Sequence, residues 1–142
     1  MKSELTENKM RIYSDNIAMA RWLQETVQGM LNAETADTSI PVTDAEFSKY
    51  GDFRDSWTER LESYDEEIEL TWYNPGDPLL IHTESGADGR AYGVCTVLVP
   101  MAGARLTRNG VEASGSPWPN ERDGRPFSTC ALAFSESWTE KR

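Results

Sequence analysis

The spacing of apolar residues changes once along the chain. In SDNIAMARWLQETVQGMLN, residues Ile17, Ala20, Leu23, Val27, Met30 and Leu31 recur at three- and four-residue steps. That spacing draws one apolar stripe along a helix. The predicted helix spans 14–32, with Ser14 or Asp15 as N-cap, accepting an otherwise unpaired backbone N–H. Gly29 weakens the last turn. Trp22 stands beside the stripe, placed to anchor the helix on a sheet. Residues 1–10 are polar and read as a flexible tail. After the helix comes a connector, in which Thr43 or Asp44 caps a short helical turn reaching Tyr50.

From Phe53 the period becomes two, the repeat of a strand. Phe53, Trp57 and Leu61 are apolar, with Asp55 and Glu59 interrupting that face; Ile68, Leu70 and Trp72 share another. A hairpin turning at Tyr64–Asp65 sets Leu61 opposite Ile68, Trp57 opposite Trp72 and Arg60 opposite Glu69. Glu62 against Glu67 is the mismatch. NPGDP breaks the run, because its prolines cannot sit in a central strand. PLLIHTES and YGVCTVLVP are then two strands around SGADGR, apolar enough to be covered on both faces. Asn109–Gly110 favours a type I′ turn, since both residues tolerate positive φ. SGSPWPNERDGRP reads as a long loop. The last strand, FSTCALAFSESW, places Cys130, Leu132, Phe134 and Trp138 on one side. The fold class is α+β and mainly antiparallel β, in one domain over 1–142. An N-terminal amphipathic helix packs on or in a curved meander of about seven strands over 53–138, barrel- or cone-like.

Composition supports a core: five Trp, five Tyr and four Phe give a chain of this length enough large apolar groups. The two cysteines, Cys95 and Cys130, lie in apolar, strand-like runs and read as packed, reduced thiols. A disulfide between neighbouring strands needs suitable geometry and an oxidising compartment. The N-terminus carries no apolar signal core, and no apolar run reaches the roughly 20 residues that span a bilayer. The expectation is a cytoplasmic protein without membrane contact. The net charge of −10 is uneven: Met1–Asp77 holds 17 acids and 7 bases, the remainder 7 of each. That excess disfavours direct binding to nucleic acid or anionic membranes, which need clustered cations. The acidic half is either a docking surface for a basic partner or a solvated face that keeps the chain soluble.

No dinucleotide loop, phosphate loop, zinc-protease helix or serine-nucleophile motif occurs. A single histidine excludes a multi-histidine metal site within one chain, and no loop has calcium-ligand spacing. No metal or cofactor is expected. What remains is acid–base chemistry in a pocket. Leu80, His82 and Glu84 project from one face of their strand, and Leu79, Ile81 and Thr83 from the other. If the first set faces inward, burial favours a neutral imidazole at His82 that can accept a proton, oriented by Glu84. Asp55 is the third candidate catalytic group. Arg54 would hold a polar substituent, and Trp57, Trp72, Tyr73 and Tyr92 would grip a planar ligand. The plain alternatives are a surface histidine, core aromatics and a strand-edge carboxylate. The leading expectation is a pocket for a small hydrophobic or aromatic ligand, either a binder or a cofactor-free isomerase, lyase or cyclase. The alternative is an acidic accessory subunit, inhibitor or nucleic-acid mimic that docks to a basic protein partner. Trp118 would serve a homodimer contact or a pocket lid.

Overall fold

The computed structural model describes residues 1–28, 34–52 and 54–140. Its elements are β1 (Ile12–Ser14), α1 (Ile17–Leu23), β2 (Val42–Asp44), β3 (Glu46–Gly51), β4 (Ser56–Glu62) and β5 (Glu67–Pro75). There follow β6 (Leu79–Thr83), β7 (Tyr92–Arg108), β8 (Val111–Glu112), β9 (Pro119–Arg122), β10 (Arg125–Ser128) and β11 (Ala131–Glu140). The main sheet runs β11-β7-β5-β4-β3, and β6 and β8 also pair with β7. The fold is thus mainly antiparallel sheet with one short helix. The pairing closes no barrel among the described residues. The chain divides into two compact units, with the division falling inside β4, β5 and β7. Among the described residues no helix is long and apolar enough to cross a membrane.

Unit 1 comprises Met1–Tyr50, Thr58–Leu70 and Arg105–Ser114. Its helix is shorter than its stripe suggests. Asn16, rather than Ser14 or Asp15, is the N-cap, its Oδ1 accepting from the Met19 N–H at 3.0 Å. After Leu23 the backbone widens into a π turn, Gln24–Gln28. Ala20 and Val27 are buried as the stripe requires, Ile17 is exposed, and Met30 and Leu31 lie outside the described residues. Buried Gln24 donates to the carbonyls of Thr35 and Asp37, and Arg21 donates to those of Thr38 and Ile40. These bonds fix the connector without a helix. The helical turn expected before Tyr50 is instead β3, preceded by β2, which pairs in parallel with β1. All six β3 residues are exposed, so no alternation marks it as a strand. Residues 1–10 are likewise no loose tail: Ser3 and Thr6 cap a 3₁₀ turn reciprocally, and Thr6 is buried.

The β4–β5 hairpin closes at Tyr64–Asp65, where the Ser63 N–H donates to the Glu66 carbonyl at 2.9 Å. That bond belongs to the register that sets Leu61 opposite Ile68. The Glu62–Glu67 mismatch is resolved by Arg60, whose Nη2 pairs with both carboxylates. Glu69, the expected partner of Arg60, accepts instead from the Tyr50 hydroxyl at 2.8 Å. Asn109 and Gly110 both have positive φ, the type I′ turn their sequence predicts. Asn109 Oδ1 also accepts from the Glu67 N–H at 2.7 Å.

Unit 2 comprises Gly51–Trp57, Thr71–Ala104 and Gly115–Arg142. Its buried apolar residues are Trp72, Val99, Met101 and Leu132. The long strand β7 carries β6 on Val94–Leu98 and β11 on Tyr92–Pro100. Pro100 is tolerated in this central strand because its missing N–H falls at the chain break between β5 and β6. Its carbonyl there accepts from the Gly76 N–H at 2.8 Å. Gly103 lies beneath the Tyr73 ring, where any Cβ would collide with it. The long loop holds an unforeseen hairpin, β9–β10, turning at Asp123–Gly124 with both φ positive. β11 departs from strict alternation: its register shifts between Ala133 and Ser135, so Phe134 is an extra residue, 55% exposed, edge-to-face with Trp57 at 6.5 Å. Cys95 and Cys130 are free thiols, and burial pushes the Cys130 thiol up from its ordinary range.

Candidate functional site

The eight residues singled out for chemistry are His82, Glu84, Asp55, Arg54, Trp57, Trp72, Tyr73 and Tyr92. On β6 the covered set is Leu79, Ile81 and Thr83, whereas Leu80 (64%), His82 and Glu84 face out and are exposed. His82 stands opposite Cys95 of β7. His82 therefore does not stand in a covered interior. Arg54 and Asp55 are exposed in the turn before β4, where Asp52 accepts from both their backbone N–H groups. Trp72 is buried core, Trp57 and Tyr92 are half-buried, and Tyr73 covers Gly103. Neither of the two grooves described next is lined by any of these eight side chains.

The first groove belongs to unit 2 and has a volume of about 680 Å³. Its floor comes from the break between β5 and β6 and from Pro100–Ala102 of β7, and its other wall from the β9–β10 hairpin. Four of its lining residues are prolines: Pro78, Pro100, Pro119 and Pro126. Proline has no N–H to extend a ladder, so strands meeting there leave the space open instead of zipping shut. Leu79 and Phe127 supply apolar surface, while Met101, also in the lining, is itself fully buried. Arg122 lies 5.9 Å from the Phe127 ring centre, a cation over the ring. Trp118 and Thr129 bond to each other across the base of the hairpin and hold it in place. The polar side chains in this groove are Asn74, Asp77, Arg125 and Ser128. Arg125 and Asp77 are exposed and form no ion pair among the described residues. The sequence gives no signal for Arg125 as long as NERDGRP reads as loop, although its Asp–Gly pair is a hairpin signal in its own right.

The second groove belongs to unit 1, with a volume of about 570 Å³ between β1, α1, Phe47 and Leu61. Beside it lies the most buried carboxylate among the described residues. Glu66 is 5% exposed in its side chain and is bound from three directions. Arg11 donates at 2.5 Å, the Tyr13 hydroxyl at 2.5 Å, and Arg108 through both Nε and Nη2. Arg108 also donates to the Leu5 carbonyl at 2.5 Å, tying in the N-terminal turn. Burial works to raise the Glu66 pKa. The hydrogen bonds from Tyr13 and Arg108, with the charges of Arg108 and Arg11, outweigh it and hold the carboxyl below its ordinary value. Burial and then the bond to Glu66 push Tyr13 up to about 12. Arg11, Tyr13 and Arg108 all donate to the one carboxylate, and Arg108 ties Leu5 to it as well, which makes this cluster a fastening between distant segments. Among the described residues no group of three or more His, Cys, Asp or Glu side chains is placed to hold a metal ion. Comparison with known protein families, curated proteins and solved structures found no match to this chain.

Proposed function

We propose that the chain is a small-molecule-binding protein and that the ligand occupies the proline-lined groove of unit 2. The ligand class is a small planar or hydrophobic body carrying one carboxylate. The observation that carries this reading is Arg125, which has no ion-pair partner among the described residues, at the wall of a mostly apolar groove of about 680 Å³ whose other polar side chains are Asn74, Asp77 and Ser128. That volume lies within the few hundred to ~1,000 Å³ typical of ligand sites, and a few polar groups on apolar walls are their usual make-up. Phe127 and Leu79 would bury the body of the ligand, and Arg125 would meet its anion through paired N–H donors. Acid–base catalysis is the weaker form of the proposal, because His82 and Glu84 stand outside the groove.

The test is a nuclear magnetic resonance screen of aromatic carboxylates against the matching aromatic amines. Carboxylates should shift Leu79, Met101 and Phe127 signals, and Arg125→Glu should weaken them by about tenfold or more and favour the amines instead. Shifts that fall elsewhere, or an Arg125→Glu variant that binds carboxylates as before, would end the proposal.

A further inference from the structure

The unit 1 groove differs in make-up from the one assigned to the small ligand. It is lined by Met1, Met10 and Met19, three of the chain's five methionines, together with Ile12, Leu23, Phe47 and Leu61. Met19 is 51% exposed and Phe47 38%, so apolar surface stands open to water at the groove's mouth. Methionine side chains are unbranched and polarisable, and surfaces built from them adapt to varied apolar partners. Arg11 also lines the groove but is already paired with Glu66, and the other charged side chains at its borders are acidic. Asp15 lines the groove; Asp44 pairs in register with Ser14, another lining residue; Glu46 immediately precedes Phe47. All three are exposed, and none has an ion-pair partner among the described residues. The unit as a whole holds 15 acids and 8 bases. Seven of those bases are already paired with the unit's own carboxylates: Lys2, Lys9, Arg11, Lys49, Arg60, Arg105 and Arg108. The eighth, Arg21, is bound to Gln24 and to backbone carbonyls.

We propose that this groove docks a basic amphipathic segment of a partner protein, its apolar residues on the methionines and its lysines or arginines against Asp15, Asp44 and Glu46. An apolar groove explains burial of one face of such a segment. The unmatched acids at its border explain the sign of the other, since seven of the unit's eight bases are already ion-paired and the eighth, Arg21, is held by Gln24 and backbone carbonyls. The occupant is thereby distinguished from the carboxylate ligand of unit 2 in both size and charge.

The experiment uses the full chain with ¹³C-methyl methionine. The probes are two helical peptides with the same leucine pattern, one carrying lysines and the other glutamates between the leucines. The lysine peptide should shift the Met10 and Met19 methyls and leave Met101, which lines the other groove, in place. Its affinity should fall as salt rises, because charges in water are screened within about 8 Å at physiological ionic strength. Asp15→Lys, Asp44→Lys and Glu46→Lys together should weaken it at least about tenfold, with an unchanged melting temperature showing the fold intact. Phe47→Ser should weaken it too, which simple charge attraction does not require. Equal binding of the glutamate peptide, movement of Met101 alone, or no movement of Met10 and Met19 would overturn the proposal. Met10 and Met19 shifts that follow protein concentration without peptide would do the same, since they would assign the groove to a second copy of this chain.

Discussion

The two units organise their interiors around opposite chemistry. Unit 1 places a carboxylate at its centre and closes three donors from distant segments upon it. Unit 2 has Trp72, Val99, Met101 and Leu132 as its buried apolar groups, and prolines hold a groove open at its surface. The difference teaches which region tolerates a bound guest. A charge cluster is directional: remove one member and the others are left buried without partners. Apolar walls are not directional, and they gain from whatever covers them.

Replacing the carboxylate should break the comparison most severely. Glu66→Gln leaves Arg11 and Arg108 facing a neutral amide, and should cost about 3 kcal/mol in chemical denaturation, less than a fully dry pair because Arg11 is half-exposed. Amide exchange should rise first in residues 1–14, not in the β9–β10 hairpin; a uniform rise would mean that Glu66 fastens nothing locally. In unit 2 the largest effect belongs to Gly103→Ala, whose methyl meets the Tyr73 ring. About 2 kcal/mol is expected from such overpacking. Tyr73→Ala in the same chain should recover part of it, a coupling that a double-mutant cycle reads directly.

The acid limb of the pH–stability curve should also separate the units. Glu66 has a folded pKa below its ordinary 4.5, so its contribution is whole above 4.5 and lost as pH falls through the lower folded value. Tyr13 is displaced the other way, from 10.0 to about 12, so its contribution is whole below pH 10 and lost as pH rises through about 12. Glu66→Gln should flatten the acid limb and Tyr13→Phe the alkaline one, while unit 2 amides follow neither. The smallest expected effect is a gain. Thr96 is buried on β7 and its hydroxyl has no hydrogen-bond partner among the described residues, so Thr96→Val should raise stability by up to about 1 kcal/mol.

These features were unequally legible in the sequence. The β4–β5 register could be read because apolar and charged positions agreed on it, and the Asn109–Gly110 turn because it lies between extended residues. Asp123–Gly124 carries the same signal, but flanking prolines and charges hid its short strands. β3 could not be read, since a strand exposed at every position shows no period. Glu66 was the least visible of all. It sits in the run DEEIE among equivalent acids, and its partners lie 55, 53 and 42 positions away. For His82, alternation correctly sorted the strand into two faces but could not say which was covered. Packing decided that, and it turned the imidazole outward.

Phe134 has one more consequence. β11 ends the main sheet, so among the described residues one side of its backbone is without a neighbouring strand. A long, flat outer strand of this kind would offer a template on which other copies of the chain stack into fibrils. The inserted phenylalanine kinks that outer edge midway and puts the two halves out of step, so an incoming strand could align with only one of them.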